Sequence, residues 1–208
     1  MAETISESAI EARQRAVLGQ PMRVAALTEE QVGDDLRELV LRIAEPLGYE
    51  AENRPLTTYF RLIAHHPALF GCQLETGIMY FTKSLLPPRE RELAVLRTAW
   101  LAGAPYEWGE HVDIGRKLGI TPEDTDRVRA GAQAPGWTEH ERAVLTAVDE
   151  LVTDRMISDA TWAILAQTYD EAQLIELPAL VGQYLGVAML QNSLRVPLTE
   201  RNGGFAER

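Results

Sequence analysis

Hydrophobic positions recur at three- and four-residue intervals along almost the whole chain, the spacing of one face of a helix. After Thr28, Leu36, Leu39, Val40 and Ile43 fall on one such face, and Pro46 to Gly48 should end the run. "LTTYFRLIAHH" reads as a short helix, and Pro67 opens another through "ALFGCQLETGIMYFTKSLL". Pro87 and Pro88 interrupt the chain, and the next run, Leu93 to Ala104, is apolar nearly all round, which marks a buried helix. Pro105 then starts a helix that closes at Gly119, a residue suited to the left-handed closing position.

Three further helices follow from their capping signals. Thr121 and Pro122 open one that stops at Gly131, Thr138 with Glu141 forms a capping box before the next, and Ser158 caps "DATWAILAQTY". Asp170 precedes the long apolar run "EAQLIELPALVGQYLGVAMLQNSLRV", in which Pro178 predicts a kink. Its small residues Gly182, Gly186 and Ala188 suit close helix contact, with core packing favoured over a subunit interface. No segment sustains two-residue alternation, and no Asn-Gly or Asp-Gly turn joins two strand-like runs, so the fold class is all-α. Residues 1–27 are weakly patterned and read as an arm, mobile or lying on a neighbouring subunit; 28–208 form a single all-α domain.

Composition narrows the partners. The chain has 208 residues, 46% apolar, enough for one sizeable core. A net charge of −11 without any Lys/Arg run argues against nucleic acid, because neutralising phosphates needs a basic face. The single cysteine, Cys72, excludes an intramolecular disulfide and dithiol cycling within one chain. No signal-peptide pattern opens the sequence and no apolar stretch of membrane-spanning length is evident, so the expectation is a cytoplasmic protein with no membrane partner.

Candidate chemistry lies on the buried helix and its successor. Glu92 shares a face with Val95, Leu96, Ala99 and Gly103, which points a carboxylate at the core. Burying an ionised carboxylate is costly unless a charge or donor meets it. On the next helix His111 aligns with Glu107, Ile114 and Leu118, and the tight joint "AGAP" would bring Glu92 and His111 face to face. A carboxylate–imidazole pair suits proton transfer near neutral pH. Glu110 falls off that stripe and reads as solvated, whereas Tyr106 could present its hydroxyl to a cavity. Trp108, one turn before His111, has the size for core or interface contact and stands with Tyr106 as a candidate to line a pocket. A di-iron bundle would need Glu-x-x-His on two helices, which the sequence lacks, so no metal is expected.

The stretch "RELAVLRTAWLAGAPYEWGEHVDIGRKLGI" resembles the carboxymuconolactone decarboxylase family, whose AhpD-like fold is an all-α bundle that usually assembles as trimers or hexamers. The alkylhydroperoxidase branch carries a Glu, eleven residues, Cys-x-x-Cys, three residues and a His. On that spacing Glu92 and His111 take the Glu and His places, while Ala104 and Glu107 stand where the cysteines would be. Neither alanine nor carboxylate can form a sulfenate or disulfide, so the resemblance implies the decarboxylase branch and not a peroxidase. It further implies a cofactor-independent acid–base lyase, a homo-oligomer acting on a small carboxylated, conjugated or lactone molecule. His111 would be proton donor or electrophile, Glu92 its orienting partner and Glu107 a neighbour in the same pocket, with Arg89, Arg91 and Arg97 as candidates for binding the substrate carboxylate. The competing expectation is a non-catalytic helical ligand-binding or scaffold protein that uses the same charges for structure.

Overall fold

A computed structural model describes residues 7–44 and 56–208, and among them the structure contains ten α-helices and no strand. They are α1 (Glu7–Leu18), α2 (Asp34–Ala44), α3 (Thr58–Ile63), α4 (Pro67–Thr82), α5 (Pro88–Leu101), α6 (Pro105–Lys117), α7 (Pro122–Ala130), α8 (Glu139–Thr153), α9 (Asp159–Leu165) and α10 (Glu171–Leu194). The boundaries follow local chemistry. Prolines occupy the first turn of α4, α5, α6 and α7, where a missing N–H costs no hydrogen bond. Thr121, Thr138 and Asp170 form reciprocal capping boxes, and Gly119 and Gly131 leave their helices at φ +82° and +98°.

Two expectations are revised at the N-terminal end. Thr28 caps only a short 3-10 turn, Glu29–Gln31, and α2 begins separately after Gly33. Within the segment expected as an arm, residues 7–18 are helical: Ile10 and Val17 are buried, Arg13 donates to the carbonyl of Ala102, and the Arg23 amide donates to the carbonyl of Leu194. With only Ile10 and Val17 turned to the core, the apolar stripe was too sparse to announce that helix. The expected stop at Pro46 to Gly48 lies outside the described residues.

At the centre stands α5, which packs against α6, α7, α8 and α10 and is buried continuously from Arg91 to Leu101. One side, through Ala94, Val95 and Leu101, joins the core formed with α8 and α10; the other, through Leu93, Leu96 and Trp100, joins α6 and α7. Each fully buried Leu or Val contributes roughly 1.5–3 kcal/mol relative to exposure. The many apolar groups on every side of α5 therefore explain how this helix tolerates three charged residues within its buried stretch.

Helix α10 runs through Pro178 without a break. Leu174, Leu177, Leu180, Val181 and Tyr184 face the bundle. The opposite face is open: Ile175 is 69% and Met189 58% exposed, and Gly182 and Gly186 are exposed between them. That corrects the core-packing expectation for the two glycines, although Ala188 is fully buried. It also corrects the expectation about apolar stretches, since α10 is by length and composition able to cross a membrane; its inward stripe, however, is packed against α5 and α8.

The residues after α10 return across α6. Asn202 donates to the carbonyl of Tyr106 and to Glu110, Phe205 packs edge-on against Trp100 and Trp108, and Arg129 donates to the carbonyls of Phe205 and Glu207. The strap lies so close that a Cβ on Gly109 would fall 1.8 Å from Oδ1 of Asn202. Gly109→Ala is therefore expected to expel Asn202. The intrinsic helix preference of alanine, about 1 kcal/mol, should be outweighed by a loss of about 1–3 kcal/mol from overpacking and from the stranded Glu110. Urea unfolding would show the net loss and amide exchange would show residues 199–208 opening; a more stable variant would refute this packing.

Candidate active site

The turn between α5 and α6, with Gly103 at φ +60°, lets the second helix run back along the first. This places His111 of α6 beside Glu92 of α5: imidazole Nδ1 and Glu92 Oε2 are 2.7 Å apart. One helical turn earlier on α6, Glu107 Oε1 lies 3.3 Å from Nε2 of the same ring. The histidine is thus bracketed by two carboxylates, all three side chains are buried, and Glu92 is wholly inaccessible. Arg91 completes the group, with Nε 3.2 Å from Glu92 Oε1 and Nη1 donating to the carbonyl of Tyr80.

Burial by itself would lower the pKa of His111, but Glu92 and Glu107 outweigh it and hold the imidazole up to about 10. At neutral pH the ring is an imidazolium that donates from both nitrogens. Glu92 and Glu107 then balance His111 and Arg91, leaving the buried cluster with no net charge. Because the folded pKa of His111 is raised above 6.5, its stabilising contribution is complete below about pH 6.5 and is lost as pH rises toward 10. The urea midpoint is accordingly expected to fall between pH 7 and pH 10 in the wild type and to flatten in His111→Gln; a flat wild-type profile over that interval would count against the charged histidine.

Aromatic rings enclose the imidazole. Phe81 of α4 stacks on it at 6.3 Å with an interplanar angle of 17°, and Tyr184 of α10 approaches edge-on at 5.0 Å. The Arg91 guanidinium lies 5.3 Å from the Phe81 ring. Burial raises the Tyr184 phenol well above its ordinary pKa, with Glu92 and Glu107 adding to the effect, so its hydroxyl keeps its proton. Gln191, seven residues further along α10 and therefore on the same face, donates Nε2 to Glu107 Oε2. Sequence reasoning missed Phe81, Tyr184 and Gln191. The signal for Gln191 was available: a polar side chain on the inward stripe of an otherwise apolar helix.

The remaining sequence candidates separate. Of the arginines the structure brings only Arg91 to the cluster. Arg89 is engaged by Asp124 at 2.8 Å and Glu141 at 3.0 Å, and Arg97 by Asp149 at 2.6 Å and the carbonyl of Val128 at 2.7 Å, where it holds the end of α7. Tyr106 is buried with its ring 5.9 Å from Tyr59. Trp108 is fully buried among Trp100, Phe205 and Arg129, none of which touches His111, and its Nε1 donates to the carbonyl of Glu207. Glu110, expected to be solvated, accepts from Asn202 instead; burial pushes its carboxyl up, against the pull of Asn202. That correction could not be made without the C-terminal strap. Among the described residues no group of three or more His, Cys, Asp or Glu is arranged to hold a metal ion.

Residues 71–150 match the family model described as the carboxymuconolactone decarboxylase family. That segment contains the whole His111–Glu92–Glu107–Arg91 cluster and Phe81, while Tyr184 and Gln191 lie beyond it. No curated protein matches the chain. Among solved structures, the debrominase Bmp8 in complex with 2,3,4-tribromopyrrole superposes with a TM-score of 0.73 at 15% identity, covering 88% of this chain and 95% of that one. An AhpD-core, peroxidase-related protein from Ralstonia eutropha JMP134 gives 0.72 at 18% identity, covering 87% and 94%. A peroxidase-related protein from Silicibacter sp. TM1040 gives 0.70 at 15%, covering 89% and 98%. At these identities the likeness establishes the AhpD-like fold. That fold extends through most of the chain, well outside the segment matched by the family model.

Proposed function

We propose that the protein is a cofactor-independent acid–base enzyme of the carboxymuconolactone decarboxylase type, which removes CO₂ from, or isomerises, a small carboxylated conjugated or lactone substrate. The observation that carries this reading is the imidazolium of His111 held between Glu92 and Glu107 against a wall of aromatic rings. Loss of CO₂ from such a molecule leaves an electron pair that flows into a conjugated carbonyl, and the resulting dienolate must then be protonated at carbon. A buried cation with a proton to give stabilises the enolate oxygen and supplies that proton, and a surround of low polarity strengthens both effects. Glu92 fixes the ring; Glu107 accepts the hydrogen bond from Nε2–H in the resting state and must release that N–H to the substrate. Arg91 is the candidate for assisting with the substrate carboxylate, since Arg89 and Arg97 are held elsewhere.

Thiol chemistry is poorly supported by the geometry. Cys72 is exposed on α4, nine residues before Phe81, which places it roughly 13 Å along the helix axis from the ring that covers His111. The open α10 face, with Ile175 and Met189 flanking Gly182 and Gly186, supports assembly as a homo-oligomer. One observation favours the alternative of a structural charge cluster in a scaffold: both imidazole nitrogens are satisfied by protein carboxylates, as in a closed buried network. The two are separated by assaying the purified protein, without added cofactor, for CO₂ release from carboxylated enol-lactones and related conjugated acids. Saturable release supports the enzyme; absence of any turnover supports the scaffold.

A further inference from the structure

Gln191 is 2% exposed, and its side-chain amide is oriented by necessity. Glu107 can only accept from it, so the nitrogen must face the carboxylate and the oxygen must face away. That oxygen is buried and has no hydrogen-bond partner among the described residues. A buried acceptor without a donor is costly, and such groups persist where a ligand or water completes them. Tyr184, two turns earlier on the same face and roughly 10 Å away along the helix axis, supplies the opposite function: its protonated hydroxyl makes no hydrogen bond to a described residue.

We propose that Gln191 positions Glu107 against His111 and, through its free oxygen, selects substrates that carry a hydroxyl or N–H donor, while the Tyr184 hydroxyl receives their carboxylate or carbonyl oxygen. The substrate class is then a hydroxylated or amino-bearing conjugated acid, with donor and carboxylate at opposite ends of a small ring or chain. This rests on the acid–base reading of the same site and adds a demand for polarity at both ends. Discrimination of this kind is strong because an analogue lacking the donor leaves the Gln191 oxygen unsatisfied.

The test uses the full chain and two probes, 4-hydroxybenzoate and benzoate, with affinity measured by calorimetry and occupancy of the site followed by the NMR signal of the His111 ring. The wild type should prefer 4-hydroxybenzoate by about tenfold, the effect of one well-made hydrogen bond. Gln191→Leu should abolish the preference and shift the pH at which His111 titrates, because Glu107 is no longer held; Tyr184→Phe should weaken both acids alike. Helical circular dichroism confirms that each variant is folded. Equal affinities in the wild type, a preference that survives Gln191→Leu, or no response of His111 to either acid would overturn the proposal. Because binding is read without turnover, these outcomes are separate from failure of the acid–base reading, which is judged by catalysis.

Discussion

His111→Ala is expected to lower turnover of the conjugated acid by about 10³-fold, within the range usual for loss of a general acid. His111 is the one cation of the cluster that can release a proton, since the Arg91 guanidinium does not deprotonate in proteins. Without it, Glu92 and Glu107 stand in a site of low polarity with no cation that can give up a proton, and the developing enolate oxygen meets carboxylates instead of an imidazolium. Residual activity should accordingly come from the pocket's shape alone. His111→Gln, which can still donate to one carboxylate, controls for stability: it should retain the helical spectrum and lose turnover to a similar extent. Turnover within about twofold of wild type in His111→Ala would remove the histidine from the mechanism.

Glu92→Leu should cost about 3–5 kcal/mol of stability at pH 7, because it strands a buried imidazolium and a buried guanidinium. The side chain is wholly inaccessible and meets both cations at hydrogen-bond distance, so no solvent screening softens the change. Two responses limit the loss: His111 releases its proton more readily, and Arg91 keeps the Tyr80 carbonyl. Glu92→Gln retains acceptor oxygen at nearly the same volume and should lose less, about 1–2 kcal/mol. Chemical denaturation of the three proteins at pH 7 checks the order, wild type above Gln above Leu. A leucine variant as stable as wild type would mean that the carboxylate is not paired as the structure has it.

The arrangement of α5 and α6 could be read from the sequence because their signals are local. Pro88 and Pro105 open each helix, Gly119 closes the second, and the helical spacing of Glu92 with Val95 and of Glu107 with His111 states which way each charge points. Two buried charges facing each other across a short joint then have few places to go but together. Partners supplied from distant sequence carried no such signal. Phe81, Tyr184 and Gln191 reach His111 and Glu107 only through the docking of α4 and α10, and Asn202 reaches Glu110 only through the returning strap. The arginines illustrate the same limit from the other side. Arg89, Arg91 and Arg97 are equivalent as residue types on one helix, and only the neighbours contributed by α7 and α8, Asp124, Glu141 and Asp149, decide that two of them are structural. For α10, composition suggested packing for the glycines, whereas the helix turns Leu174, Leu177, Leu180 and Tyr184 inward and leaves Gly182 and Gly186 on the open face with Ile175 and Met189.

The claim beneath all of these expectations is that His111 is a cation at neutral pH because two carboxylates hold it. Nitrogen NMR of the histidine ring, followed from pH 6 to pH 11 in the folded wild-type protein, tests it most directly. The expected spectrum shows both ring nitrogens protonated through pH 8 and a transition near pH 10, where the raised pKa places it. A ring that is neutral at pH 7, titrating at or below its ordinary pKa, would contradict the account.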